Sequence, residues 1–119
     1  MNAITEARDE LQAALEGLGV TVYTAEPDIV QPPALLVRAA NPYVTPGLTY
    51  GGSFVVHAEV VVMTRYSGKL TALDELLAAV LAIKTGWRLT EQGADGPAIY
   101  ADRPDLLTTV LTYSNTIYL

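Results

Sequence analysis

The amino-acid sequence predicts an α+β domain in which a β-sheet packs against two helices. Residues 54–63 carry an apolar side chain at every even position, which is the pattern of a strand with one dry face. Residues 70–84 repeat leucine, valine and isoleucine at helical spacing. Residues 106–119 form a run of high β propensity without a charged side chain. These segments together predict a core made of strands and helix.

An amphipathic helix is predicted at the start of the chain. Residues 4–18 place isoleucine, leucine and alanine on one side, at a period of 3.6 residues. Asn2 or Thr5 can cap its first turn, and Gly17 and Gly19 predict its end.

Two short strands and a loop follow. Residues 20–24 and 34–39 are rich in apolar and β-branched side chains, as strands are. Residues 26–33 contain three prolines, which cannot donate ladder hydrogen bonds, so this segment is predicted to be a loop.

The connection at residues 41–52 is long, and it joins two predicted antiparallel neighbours. We expect it to project from the sheet as a loop or extended hairpin. Residues 39–58 carry no full charge, apart from His57 when that histidine is protonated. The connection either folds back on its own domain or meets another chain, because uncharged tyrosine-rich patches suit interface centres. Its candidate contact side chains are Tyr43, Val44, Leu48 and Tyr50.

The second helix is predicted over residues 70–84. Ser67 or Thr71 can cap it, and Gly86 predicts its end. Arg65 and Tyr66 precede it at the strand–helix junction, where they form either a partner anchor or an ordinary surface turn.

Residues 87–92 are predicted to form the next strand, with Trp87 in the core. The glycines and proline of residues 93–97 predict a turn, and residues 98–101 form a short strand or part of the same loop.

The uncharged run at residues 106–119 is predicted to lie in the middle of the sheet, beside residues 54–63, or to pair with a neighbouring subunit. As a free edge it would be prone to aggregation, because no charge protects it. Tyr113, Ile117 and Tyr118 are the candidate subunit contacts in this run.

Length and charge narrow the function classes. The 119 residues predict one domain spanning residues 1–119. The seven lysines and arginines are scattered, and the net charge is −6. Nucleic-acid binding is therefore not expected, because it needs clustered basic side chains that neutralise phosphates. An acidic surface suits a protein that DNA passes without binding, although ordinary solubility explains it equally well. The absence of cysteine excludes disulfides and thiolate chemistry, and no apolar run approaches the ~20 residues of a membrane span.

Candidate chemistry is sparse. His57 and Glu59 fall on one strand face, where they could form an acid/base dyad or half of a metal site. A structural role is favoured, because one histidine and one carboxylate are too few ligands for most zinc sites and no nucleophile is near in sequence. Gly51 and Gly52 precede a strand, so they do not form a phosphate loop. Asp95, Asp102 and Asp105 cluster in sequence without a calcium-loop pattern. We therefore expect no catalytic, cofactor or metal site.

The order of elements resembles the tail terminator proteins of long-tailed bacteriophages. The passages that carry the resemblance are TEARDELQAALEGLGVTVY, YGGSFVVHAEVVVMTRYSG and LLTTVLTYSNTIYL. The similarity extends over nearly the whole chain. It implies a mixed, mainly antiparallel sheet packed against two helices, with a long projecting loop or hairpin.

The same resemblance implies a structural protein of the virion neck, assembled in the host cytoplasm. Such proteins form a ring, typically a homohexamer, that caps the tail tube, stops its polymerisation and offers a docking surface to the head–tail connector. DNA passes through the lumen without specific binding. The implied partners are sister subunits, the major tail tube protein and the connector or stopper protein, and residues 40–53 would reach a neighbour or the tube.

Three alternatives remain open from the residues. One is another head–tail connector or head-completion protein of the phage neck. Another is a small enzyme or a non-viral oligomeric α+β domain that binds a ligand, either of which would use the His57 face. The last is a plain dimeric interaction module.

Overall fold

A computed structural model of the chain describes residues 2–47, 52–100 and 103–118. Within these ranges the sheet has the strand order β1-β2-β3-β5-β4, in which β1 and β2 are parallel and every other pair is antiparallel. The predicted fold, a mixed and mainly antiparallel sheet packed against two helices, is confirmed. The elements are α1 (Ala3–Glu16), β1 (Thr21–Tyr23), β2 (Ala34–Pro46), β3 (Ser53–Arg65), α2 (Thr71–Leu81), β4 (Arg88–Tyr100) and β5 (Arg103–Tyr118).

The centre of the sheet is the β3–β5 pair. Its register runs without a shift from Ser53 opposite Tyr118 to Arg65 opposite Leu106. The uncharged C-terminal run is therefore mid-sheet and beside the central strand, as predicted, with β4 on its other side. β4 flanks this run only as far as Ser114, so no described strand pairs with the outer edge of residues 115–118.

Both helices pack on one face of the sheet. The even-numbered side chains of β3 meet the helices there, as the period-two alternation predicts. The fully enclosed side chains of this main core include Leu11 and Leu15 of α1, Val80 of α2, and Val56, Val60, Val62 and Leu111 of the sheet.

A second apolar cluster lies on the opposite face, near the end of β3 that leads to α2. Ala34, Leu36, Val61, Met63 and Leu106 are buried there together with Val30. Val30 belongs to the proline-containing loop between β1 and β2, so this loop covers one end of the sheet face that the helices leave open.

The helix ends follow the predictions only in part. The Asn2 side chain accepts a hydrogen bond from the backbone N–H of Thr5 over 2.9 Å, which confirms the cap of α1. The predicted caps of α2 are wrong, because its N-cap residue is Leu70 and no side chain caps it. The helix also ends at Leu81 rather than at Gly86.

The long connection is shorter than predicted because β2 continues to Pro46. Residues 40–43 are accommodated as a bulge: the register moves from Ala39 opposite Ala58 to Val44 opposite Val56. The β2–β3 segment is therefore a hairpin arm, defined here as residues 44–47 and 52–56. Leu48 and Tyr50, two of the candidate contact residues in this connection, lie outside the described residues.

The turn predicted at residues 93–97 is wrong, because β4 passes through them as a bulged strand. Gly96 adopts φ +111°, and a side chain there would come within 3.1 Å of the Thr108 carbonyl. Glycine and proline thus mark bulges in a pairing strand rather than a chain reversal.

Trp87 joins α1 to the segment that leads into β4. Its indole N–H donates to the Ala7 carbonyl over 2.7 Å, and the ring is buried in the main core. The neighbouring N–H of Gly86 donates to the Glu10 carboxylate over 3.1 Å. These two bonds position the start of the edge strand against the first helix.

We predict that Trp87→Phe lowers the free energy of unfolding by about 1–3 kcal/mol, because it removes a buried hydrogen bond and part of the ring volume. Urea unfolding followed by circular dichroism measures this, since the variant has no tryptophan left to fluoresce. The control Tyr66→Phe, at an exposed side chain, should change stability by less than about 0.5 kcal/mol. Equal effects of the two substitutions would contradict this role of Trp87.

Candidate interaction surfaces

The contact residues predicted from the sequence fall into three groups. Tyr43, Val44 and Tyr118 lie toward the hairpin end of the sheet. Arg65 and Tyr66 lie at the other end of β3. Tyr113 and Ile117 lie in the main core, and Leu48 and Tyr50 lie outside the described residues.

At the hairpin end, two apolar side chains are open to solvent. Val44 is 36% exposed and Tyr118, which pairs with Ser53, is 68% exposed. Tyr43 is only half-exposed, because it packs against the main core. The described part of the hairpin arm carries no Asp, Glu, Lys or Arg side chain, so it is a chemically neutral surface.

Tyr113 and Ile117 are only 4% and 7% exposed and pack inside the main core of a single chain. The sequence pattern placed them on an apolar face but did not show that the helices cover that face. They offer no surface to a second chain.

At the opposite end of β3 lies an apolar groove of about 420 Å³, which the sequence analysis did not predict. It runs beside α2, and Arg65 and Glu75 supply its charged side chains. Tyr66 is near this end, where its backbone N–H donates to the Asp105 carbonyl over 2.7 Å. The remaining lining residues are Val20, Pro32, Pro33, Thr64, Ala72, Leu76 and Ala79.

Thr64 lines the groove, but its hydroxyl is not open to it. The residue is buried, and the hydroxyl oxygen has almost no accessible surface and no hydrogen-bond partner. An unpaired buried hydroxyl costs about 1–3 kcal/mol, so Thr64 lowers local stability rather than offering a contact to a ligand.

The predicted apolar stripe of the second helix is only partly buried. Leu73, Leu76 and Val80 face the core, whereas Leu70 and Leu81 are about half exposed. The helical period alone does not give the width of the buried side, and α2 therefore leaves leucine side chains on the surface.

The edges of the sheet are poorly suited to pairing with another strand. β1 has three residues. β4 is longer, but its pairing with β5 is interrupted by register shifts, and it carries Glu91, Asp95 and Pro97. Short length, bulges, charges and proline all disfavour strand addition at an edge. β1 and β4 are therefore unfavourable docking edges.

His57 and Glu59 do not form the dyad considered from the sequence. The Nε2 atom of His57 lies 2.9 Å from the Thr45 hydroxyl. Glu59 instead accepts a hydrogen bond from Arg38 over 2.7 Å, in an ion pair across β2 and β3. Each side chain has its own partner, so the pair offers no coupled acid and base.

The acidic cluster considered from the sequence is also divided. Arg103 makes two hydrogen bonds of 3.0 Å to the carboxylate of Asp105, and this bonding lowers the pKa of Asp105. Asp95 pairs with Val110 in the sheet register, and Asp102 lies outside the described residues. Within the described ranges, no three His, Asp or Glu side chains are grouped as metal ligands.

The chain matches no protein-family model, and no curated protein is significantly similar to it. Among the described residues, neither helix has the length and apolar character needed to cross a membrane.

Burial raises the pKa of Tyr113, whose hydroxyl has no partner in the core. The folded state therefore favours the neutral phenol. The resulting stability is fully present below the unfolded value of about 10 and is lost as the pH rises through the raised pKa.

We predict that Tyr113→Phe raises the free energy of unfolding by about 1 kcal/mol at neutral pH, because it removes an unsatisfied buried group. The wild type should also lose more stability than the variant as the pH rises above about 10. Denaturant titrations across this range measure both effects, with the exposed Tyr118→Phe as the control. A destabilised Tyr113→Phe variant with unchanged alkaline sensitivity would show that the hydroxyl has a partner.

Proposed function

We propose that this protein is a structural subunit that assembles head-to-tail into a ring, and that the ring is the tail terminator of a long-tailed bacteriophage. The observation that carries the proposal is the placement of two unlike surfaces at opposite ends of β3. The neutral hairpin arm lies at one end and the apolar groove lies at the other.

The separation of these surfaces suits a ring. β3 has 13 residues, which at roughly 3.4 Å per residue place its ends about 40 Å apart. A subunit that uses the same patch twice forms a two-fold dimer, whereas two different patches form a ring or an open filament. Arm-to-groove contacts use different patches and are therefore heterologous.

The two surfaces are also chemically compatible. The arm can enter an apolar groove without burying a charge, because no Asp, Glu, Lys or Arg side chain lies in its described part. Arg65 and Glu75 can remain at a solvated rim, where interface charges are tolerated.

The terminator role itself rests on the resemblance of the sequence to that family. In this role the ring caps the tail tube, stops tube polymerisation and presents a surface to the head–tail connector. A net charge of −6 is compatible with a lumen through which DNA passes without being held. No step of this role requires catalysis or a cofactor.

We predict that Ala79→Glu weakens self-association at least tenfold, because it places a carboxylate in the groove at a position where glutamate is tolerated in a helix. The matched control is Ala78→Glu on the exposed side of the same helix, which does not line the groove. Sedimentation velocity measures the assembly, and thermal melting checks that both variants fold. Identical assembly by the two variants would contradict a role for the groove.

Binding partners distinguish a terminator from another neck protein. A terminator ring should bind the end of assembled tail tubes, which electron microscopy of mixtures with tubes reveals. Binding to the portal complex but not to tubes would instead identify a connector or head-completion protein.

A further inference from the structure

β4 forms one edge of the sheet and is held by fewer backbone contacts than the strands beside it. In the described part of the sheet it pairs with β5 alone, and register shifts divide that pairing into stretches of one or two residues. The β3–β5 pair, in contrast, runs through thirteen residues without a shift. Hydrogen bonds therefore join β4 to the sheet only at separated places, because a shift leaves residues out of the ladder.

Side-chain burial adds little to the hold on β4. None of residues 88–99 is buried. Leu89 and Ile99 lie on the helix side of the sheet, since they pair with core residues of β5. They are nevertheless 40% and 45% exposed. The helices thus cover β5 but leave β4 open on the same face, and little apolar area fixes β4 in place.

The sequence of β4 is also unfavourable for a strand. Residues 93–98 read Gly-Ala-Asp-Gly-Pro-Ala, and each of these residue types is depleted in strands. The Thr90 hydroxyl is buried without a partner, which costs stability. A hydrogen bond of 3.1 Å from the Thr108 hydroxyl to the Ala98 carbonyl acts in the opposite direction.

The segment that β4 covers has the opposite composition. Residues 106–114 contain no charge, no proline and no glycine, and most have high β propensity. Segments of this kind pair readily with identical segments of other chains. β4 itself carries charges and a proline, which disfavour strand addition at its outer edge. The composition that protects the edge of the sheet is therefore the composition that holds β4 weakly.

We propose that β4 is a displaceable edge strand. It detaches from β5 while the other strands and both helices stay folded, because local opening requires less free energy than global unfolding. Its release exposes the backbone edge of residues 106–114, and the same segment of a second copy pairs with that edge.

The segment before β4 supplies a fixed hinge. Trp87 and Gly86 are bonded to α1 and remain in place when the strand leaves. The release is independent of the proposed ring, because neither the arm nor the groove contains a residue of β4 or of residues 106–114.

Native-state hydrogen exchange, measured by nuclear magnetic resonance, tests the release. Successive N–H groups along β5 point alternately to β3 and to β4. We expect protection to alternate along residues 106–114, with the N–H groups that face β4 exchanging faster by a factor of about ten or more. Low concentrations of urea should accelerate the slow set much more than the fast set, because only global unfolding exposes a large surface. Equal protection of the two sets would overturn the proposal.

A disulfide that locks β4 tests the consequence of the release. Asp95 lies opposite Val110, so Asp95→Cys combined with Val110→Cys can join the two strands. In urea well below the unfolding midpoint, we expect the reduced variant to form fibrils that bind thioflavin T. Oxidation should lengthen the lag before fibrils appear by a factor of about ten or more, because β4 can no longer leave. An unchanged lag after oxidation would show that β4 does not control the pairing.

His57→Cys combined with Ser114→Cys is the matched control, because it joins β5 to β3 and leaves β4 free. It closes a longer loop, so it should stabilise the chain at least as much as the lock on β4. Its oxidation should nevertheless leave the lag unchanged. An equal delay in both oxidised variants would assign the effect to overall stability and contradict the proposal.

Discussion

The uninterrupted pairing of β3 with β5 is the constraint on which the rest of the structure depends. Thirteen consecutive residue pairs join two strands that form the floor of the main core and part of the second apolar cluster. Because the side-chain period is two, a slip of one residue would move every buried side chain to the opposite face. The lack of charge along residues 106–114 is thus explained inside one chain, where β3 and β4 flank β5, whereas residues 115–118 pair with β3 alone.

The strands on either side of the regular β3–β5 pair are irregular. β2 bulges at residues 40–43, and β4 has register shifts along its pairing with β5. The length of β3 also separates the arm from the groove.

Regular elements were predictable from the sequence because their patterns are periodic. Apolar side chains recur at every second position in residues 54–63 and at the helical repeat in residues 70–84. The uncharged C-terminal run was predicted to lie in the middle of the sheet, because an uncharged free edge is prone to aggregation. Bulges break this periodicity, so residues 40–43 and 93–97 were predicted as loop and turn. Pro42, Gly93 and Gly96 were visible signals, but a bulge and a turn use the same residue types. The groove could not be predicted, because its walls come from distant segments that only tertiary packing brings together.

Directed cross-linking tests the proposed head-to-tail contact most directly, because the natural chain has no cysteine. In a variant carrying both Val44→Cys and Ala79→Cys, a disulfide would join the arm of one subunit to the groove of the next. Under mild oxidation the account predicts a ladder of covalent oligomers that ends in one closed ring, while either single substitution yields monomer. Covalent dimers from a single-cysteine variant, or a double variant that remains monomeric, would contradict the head-to-tail contact.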